Sequence, residues 1–377
     1  MAARAWIATR KGLIELTRRA GGWAVVRTHF IAEPVSAVLP PTPGGRMLAA
    51  LNLGHFGVKV HASDDAGATW TEVAAPAYPP QPADLEPPQR EGLPEFDGMP
   101  EPTVVPWKLV MVWTLEAAGN SIFAGTLPGG LFRSDDGGAS WRLDRALWDH
   151  PSRSEWFGGG YDTPGIHSVC PHPARPGEVL VGISSGGAWI TPRQGEAGSE
   201  WSSRCVGMKA AYMPPERAED PRVQDPHRIR RCASAPDVLW CQHHNGIWRS
   251  DDNAGHWVEI TGAPVSNFGF AVAAHPRDPK TAWFVPAVKD ERRIPADGAL
   301  VVQRTRDGGQ SFDVLRNGLP QRDCYDLVYR HGLDVDASGE HLLMGSTTGH
   351  LWSSDDGGAN WTLAQAHLPP IYEVRFG

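Results

Sequence analysis

A short acidic turn recurs along this chain, and nothing else in the sequence limits the possible folds as severely. Four segments nearly superimpose: Ser63-Asp-Asp-Ala-Gly-Ala-Thr-Trp70, Ser134-Asp-Asp-Gly-Gly-Ala-Ser-Trp141, Ser250-Asp-Asp-Asn-Ala-Gly-His-Trp257 and Ser354-Asp-Asp-Gly-Gly-Ala-Asn-Trp361. A fifth, Thr305-Arg-Asp-Gly-Gly-Gln-Ser-Phe312, is a conservative variant. Each follows a short strand-like run such as Gly130-Leu-Phe-Arg133 or Gly246-Ile-Trp-Arg249, so the unit reads strand, tight loop, strand. The hydroxyl and the third-position carboxylate can cap the turn's own amides, glycine tolerates positive φ, and the closing aromatic can plug a gap between sheets.

Self-similarity at this spacing implies repeated units that bury one another's faces. Two degenerate copies, Lys11-Gly-Leu-Ile-Glu-Leu-Thr17 before Trp23 and Gly186-Gly-Ala-Trp-Ile-Thr191 before Trp201, keep the strand and the aromatic without the acidic turn. The plugs are then Trp23, Trp70, Trp141, Trp201, Trp257, Phe312 and Trp361, and seven plugs imply seven blades. Composition agrees. With 42 Gly and 34 Pro in 377 residues and only 21% charged residues, a helical bundle is excluded, and 16 Trp is a load that disordered chains do not carry. The expected fold is an all-β seven-bladed β-propeller, a single domain over residues 1–377. Its first blade begins at the second strand, Ala5 to Thr9, and lacks an inner strand, which Ile371-Tyr-Glu-Val-Arg-Phe376 would supply to close the ring.

The turn resembles the Asp-box, or BNR, repeat of sialidase-like β-propellers. The resemblance covers the whole chain as architecture and about forty residues as motif. It implies that the acidic turns, as connections between the third and fourth strands, lie on the face opposite the functional one and are scaffold. The sialidases' three arginines and their Tyr and Glu pair are not carried over: Arg293-Ile-Pro295 lies between later turns and lacks the preceding Phe, so exo-sialidase activity is not expected. Seven-bladed relatives include xyloglucan-type glycosidase modules and photosystem II assembly factors, which leaves function open.

Three insertions connect outer to inner strands and converge on one face: 76–106, 144–165 and 207–224. The first holds ten prolines and six acidic residues against one Arg; the second contains Trp148, Trp156, Tyr161 and the glycine run 158–160. Loops this long in a compact domain are expected to be lids or binding walls.

A register argument places candidate residues on that face. Leu180, Trp240 and Trp283 align as second-strand residues, and the same offsets align His167, His227 and Phe270 on the inner strands without a gap. They also align Ser184, His244 and Ala287 in the next loops, beside His243 and Asn245, while His55 is a further histidine in such a loop. At the opposite end they align His172, Cys232 and His275, which read as repeat grammar. Two or three neutral imidazoles with a nearby carboxylate could hold one divalent transition metal (Zn, Cu, Fe or Mn). His167, His227 and His243 are the candidate ligands, with Asp225, Asp162 and Glu155 as available carboxylates. Without metal, His167, His227 and His244 could act as acid and base, with Tyr325 or Tyr161 as a second proton donor. Lys289 and Arg293, with Tyr161, His55 and Asn245, are candidate ligand contacts, the cations suiting a carboxylate- or phosphate-bearing molecule.

The net charge of −8 and the lack of a long basic run argue against nucleic acid as a partner. No window is apolar enough for a membrane span, and five cysteines without a CxxC favour reduced thiols and a cytoplasmic location. No nucleotide cofactor is expected. The sequence thus points to an enzyme with a histidine-rich central pocket, doing hydrolytic or lyase chemistry on a polar small molecule or carbohydrate. The alternative is a non-catalytic propeller that docks a protein.

Overall fold

Alternating short runs of β-branched and aromatic residues, punctuated by turn residues every few positions, cannot build long helices; they pair locally instead. In the computed structural model, which describes residues 4–83, 107–194 and 199–377, they form seven four-stranded antiparallel sheets. Blade 1 comprises residues 4–29 with Ile371–Phe376, and blades 2 to 7 span 35–73, 111–143, 166–203, 226–260, 269–315 and 333–365. Strand Ile371–Phe376 pairs antiparallel with Arg4–Thr9 and lies between the inner strands of blades 7 and 2, Leu333–Val335 and Val35–Leu39. The ring is therefore closed by the two ends of the chain, as the sequence predicts.

All five acidic turns have one hydrogen-bond pattern. The Ser or Thr Oγ accepts from the amide four residues on, and the third-position carboxylate accepts from the amide four residues beyond itself, all at 2.7–2.9 Å. Each turn joins the third and fourth strands of its blade. The seven aromatics that close these segments fall in seven different apolar clusters, each bridging two consecutive blades: Trp70 between blades 1 and 2, Trp257 between 4 and 5, Trp23 between 7 and 1. Several also tie the preceding blade through the indole N–H, as Trp141 does to the Ala74 carbonyl (2.9 Å) and Trp257 to that of Arg204 (2.8 Å). A propeller has no single core, and these interfaces are where its burial lies.

His172, Cys232 and His275 hold one position in three successive blades: each donates its amide to a carbonyl across the turn from first to second strand. The imidazoles of His172 and His275 accept backbone amides within that turn. They are structural, as the register argument holds. All five cysteines are free and buried. Among the described residues no helix is long and apolar enough to cross a membrane.

Further along the inner strands, charged side chains from four blades meet in the channel. Arg375 grips Glu116 through both Nη atoms (2.8 and 3.0 Å) and lies 3.4 Å from Glu373, while Arg230 reaches Glu116 (3.5 Å) and Asp334 (3.6 Å). Glu373 also accepts the Val38 amide (2.8 Å). Burial works against the charged form of Glu116, but Arg375, Arg230 and Arg228 outweigh it and hold the carboxyl at about 2. For Glu373 burial prevails and pushes the pKa up to about 7.

Candidate functional site

At the mouth of the channel the inner strands share one irregularity. In six blades the inner strand has one residue more than its partner opposite: Tyr372 in blade 1, Ser36 in blade 2, Trp113 in blade 3, His167 in blade 4, His227 in blade 5, and the pair Phe270 and Ala271 facing Val285 in blade 6. A bulge re-aims the extra side chain out of the pleat. The ungapped alignment of His167, His227 and Phe270 in the sequence is this repeated bulge.

Two adjoining chambers open there. The larger, about 950 Å³, takes Ser36, Trp113 and Tyr372 from the bulges and adds Tyr161, Tyr329 and Phe56. The smaller, about 290 Å³, is lined by Asp225, His227, His244, Phe270 and Tyr212 under the glycine run 158–160. Gly160, Arg293 and Arg330 belong to both and form the junction.

The polar cluster of the smaller chamber is Asp225, His227 and His244, whose ligand-capable atoms all lie within 4.8 Å of one another. Asp225 immediately precedes the inner strand Pro226–Arg231, His227 is that strand's bulge, and His244 follows the second strand Leu239–His243. One Asp225 oxygen lies 3.4 Å from His227 Nε2 and 3.3 Å from His244 Nδ1; the other accepts the Ser185 amide (3.3 Å). His227 Nδ1 lies 2.6 Å from the Gly269 carbonyl, which can only accept, so Nδ1 carries the proton. In the neutral ring Nε2 therefore turns a lone pair toward the carboxylate. Burial lowers the His227 pKa despite the Asp225 charge beside it. Burial also works to raise that of Asp225, but the charge and N–H groups of His227 and His244, when these rings are protonated, outweigh it and hold the carboxyl well below the usual range.

The other expected residues fall in several places. His167 occupies the equivalent bulge one blade earlier, but it sits edge-on to Trp113 (ring centres 5.4 Å apart), contacts Ser168 Oγ through Nδ1 (3.0 Å) and lines neither chamber. Its Nε2 is buried without a partner. His243 stands outside the cluster because both ring nitrogens face backbone amides, those of Asp225 and Asn245, each at 3.0 Å, which leaves no lone pair for a metal; burial draws its pKa down to about 3. Asn245 ties the Ala211 amide through Oδ1 (2.8 Å). Tyr161 and Arg293 line the larger chamber, the former edge-on to Trp113 at 5.2 Å, the latter paired with Asp290 at 2.6 Å. Lys289 is exposed and pairs with Glu291 (3.1 Å). His55 lies exposed on a 3₁₀ turn against Phe56, and Tyr325 is 68% exposed; neither lines a chamber. Near Tyr325 in the chain, Tyr329 lines the larger chamber beside Tyr161 and Tyr372.

Of the three insertions, 144–165 and 207–224 supply chamber walls through residues 157–161 and Tyr212, whose hydroxyl donates to the Val223 carbonyl. Most of the 76–106 insertion lies outside the described residues. The glycine run is required by contact. A Cβ on Gly159 would lie 2.8 Å from Ser185 Oγ and 3.1 Å from both Asp225 oxygens. Gly159→Ala is expected to cost about 1–3 kcal/mol through overpacking, checked by urea unfolding; an unchanged midpoint would show that the strap yields freely.

No family model matches the sequence, and no curated relative matches it either. Solved structures share the fold. An ancestral GH74 enzyme superposes with a TM-score of 0.55 at 13% identity over 95% of this chain, which spans 39% of that enzyme. YCF48 from Cyanidioschyzon merolae gives 0.54 at 12% identity, covering 89% of this chain and 87% of its own. YCF48 bound to D1 peptide gives 0.53 at 16% identity, covering 94% and 90%. The chain is thus similar in fold to both an enzyme and a peptide-bound propeller.

Proposed function

We propose that the mouth of the propeller is a catalytic site in which Asp225, His227 and His244 hold one divalent transition metal, Zn, Cu, Fe or Mn, for hydrolytic or lyase chemistry on a polar small molecule or carbohydrate. The observation that carries this reading is the orientation of His227. With Nδ1 bound to the Gly269 carbonyl, its Nε2 lone pair faces an ionised carboxylate at 3.4 Å, an arrangement that repels unless a cation, either a metal ion or a proton on Nε2, stands between them. An imidazole anchored through its far nitrogen to a backbone carbonyl is the usual support for a metal-binding histidine. Three protein ligands leave a position for water, and a bound metal lowers the pKa of that water toward neutrality. Without metal the same imidazoles serve as acid and base.

Elemental analysis of the purified protein tests this. One equivalent of a first-row metal is expected, with affinity lowered in His227→Ala and in Asp225→Asn by more than the 10–100-fold that loss of an outer-shell partner costs. Metal retained in full by His227→Ala would refute the assignment.

A second reading, a platform that docks a protein segment, draws on the exposed apolar side chains at the mouth: Phe56 is 72% and Ile31 75% exposed. The similar fold of YCF48 bound to D1 peptide is in keeping with it. Stoichiometric binding of one partner by a protein containing no metal would favour it.

A further inference from the structure

The guanidinium groups along the channel and at its mouth have carboxylates beside them. Arg375 has Glu116 and Glu373, Arg228 lies 3.9 Å from Glu116, and at the mouth Arg293 has Asp290. Arg330 is the exception. It is 6% exposed and lines both chambers, yet among the described residues no carboxylate lies within ion-pair distance of it. Its guanidinium lies 5.0 Å from the centre of the Trp113 ring and 5.5 Å from that of Phe270, Nη2 donates to the Gly159 carbonyl (3.3 Å), and Nε has no partner. A charge taken from water without a counter-ion is costly, and two aromatic faces offset only part of that cost. The nearest charge that acts on it is Asp225, which itself faces His227 and His244, so Arg330 is left without a direct ion-pair partner at the junction of the Asp225 cluster and an aromatic chamber of about 950 Å³.

We propose that this chamber takes an organic monoanion: an aromatic or otherwise apolar body seated against Trp113, Tyr161 and Tyr329, with a single carboxylate on Arg330. One unmatched cation suits one negative charge. A phosphate dianion would leave a charge uncompensated in a chamber whose rim already carries Glu33. This deepens the catalytic reading and rests on it only in that the carboxylate end of the ligand, held at the junction, would then lie beside Asp225, His227 and His244.

Calorimetric titration of 2-naphthylacetate and of its neutral counterpart 2-naphthylacetamide tests the assignment. The acid is expected to bind unaltered protein at least about tenfold more tightly than the amide, the worth of a charge-assisted hydrogen bond. Arg330→Gln should remove that preference, weakening acid binding at least about tenfold relative to amide binding. Protein stripped with EDTA should still bind the acid, so the anion site survives even where the metal reading fails. Equal affinity for acid and amide, no binding of the acid at millimolar concentration, or acid binding lost with EDTA but insensitive to Arg330→Gln would each overturn the proposal. The acid and amide comparison on unaltered protein decides it even if the variant does not fold.

Discussion

Truncation after Pro370 is expected to abolish the cooperative native state. The strand removed, Ile371–Phe376, is the inner strand of blade 1, with Ile371 and Val374 each 1% exposed and packed in the cluster that joins blades 7 and 1. Losing two such side chains costs about 2–5 kcal/mol each, against a total stability on the order of 5–15 kcal/mol. The cut also opens the ring and exposes an unpaired edge along Arg4–Thr9. Near-ultraviolet circular dichroism, reporting the packing of the 16 tryptophans, should lose its signal, and the thermal transition should broaden or vanish. A truncated protein that melts like the full chain would show that closure contributes nothing.

Arg375→Met is the second large effect. It leaves Glu116 and Glu373 buried without their principal cation, and breaking a buried pair this way costs about 3–5 kcal/mol. The sign of the pH dependence follows from the two carboxylates. Glu373 has a folded pKa raised to about 7, so its contribution is most favourable below its ordinary value and is lost as pH rises toward and through 7. Glu116, held at about 2, contributes above its ordinary value and loses that contribution as pH falls toward 2. The Glu373 contribution to the urea midpoint should therefore decline between pH 5 and pH 8, against the opposite trend of buried histidines such as His227 and His243, whose lowered pKa values favour the folded state as pH rises. Glu373→Gln should flatten that decline, and Arg375→Met should steepen it. Equal losses at both pH values for Arg375→Met would remove these carboxylates as the cause.

The fold was legible in the sequence because its determinants are local and repeated. The Ser and Asp of each turn cap amides within four residues, and each aromatic plug packs between its own blade and a neighbouring one. The site was legible only in part. Equal offsets placed His167 and His227 at equivalent positions, but a bulge leaves no mark in composition, and equivalence does not fix a rotamer: His227 faces Asp225 while His167 turns to Trp113. His243 and His244 are neighbours on a strand end, and only the backbone amides that occupy the first tell them apart. Arg330 was missed for a different reason. It precedes the three-residue strand Leu333–Val335, where irregular backbone breaks the register that linked blades 4 to 6. The signal available was Tyr329-Arg330-His331, standing just ahead of the inner strand of blade 7 as Ile166-His167 and Pro226-His227 open theirs.

The repeated bulge has a consequence for how such a ring can diversify. Each extra residue is added beside the paired positions that feed the seven apolar clusters, so a blade's contribution to the mouth can change without repacking its interfaces. Ser36, Trp113, His167, His227, Phe270 and Tyr372 act as the wheels of a combination lock on a frame indifferent to the code, with adjoining wheels turning together where His167 meets Trp113 and His227 stacks on Phe270. Exchanging residues among those six positions would then be a direct route to new ligand preferences at little cost to folding.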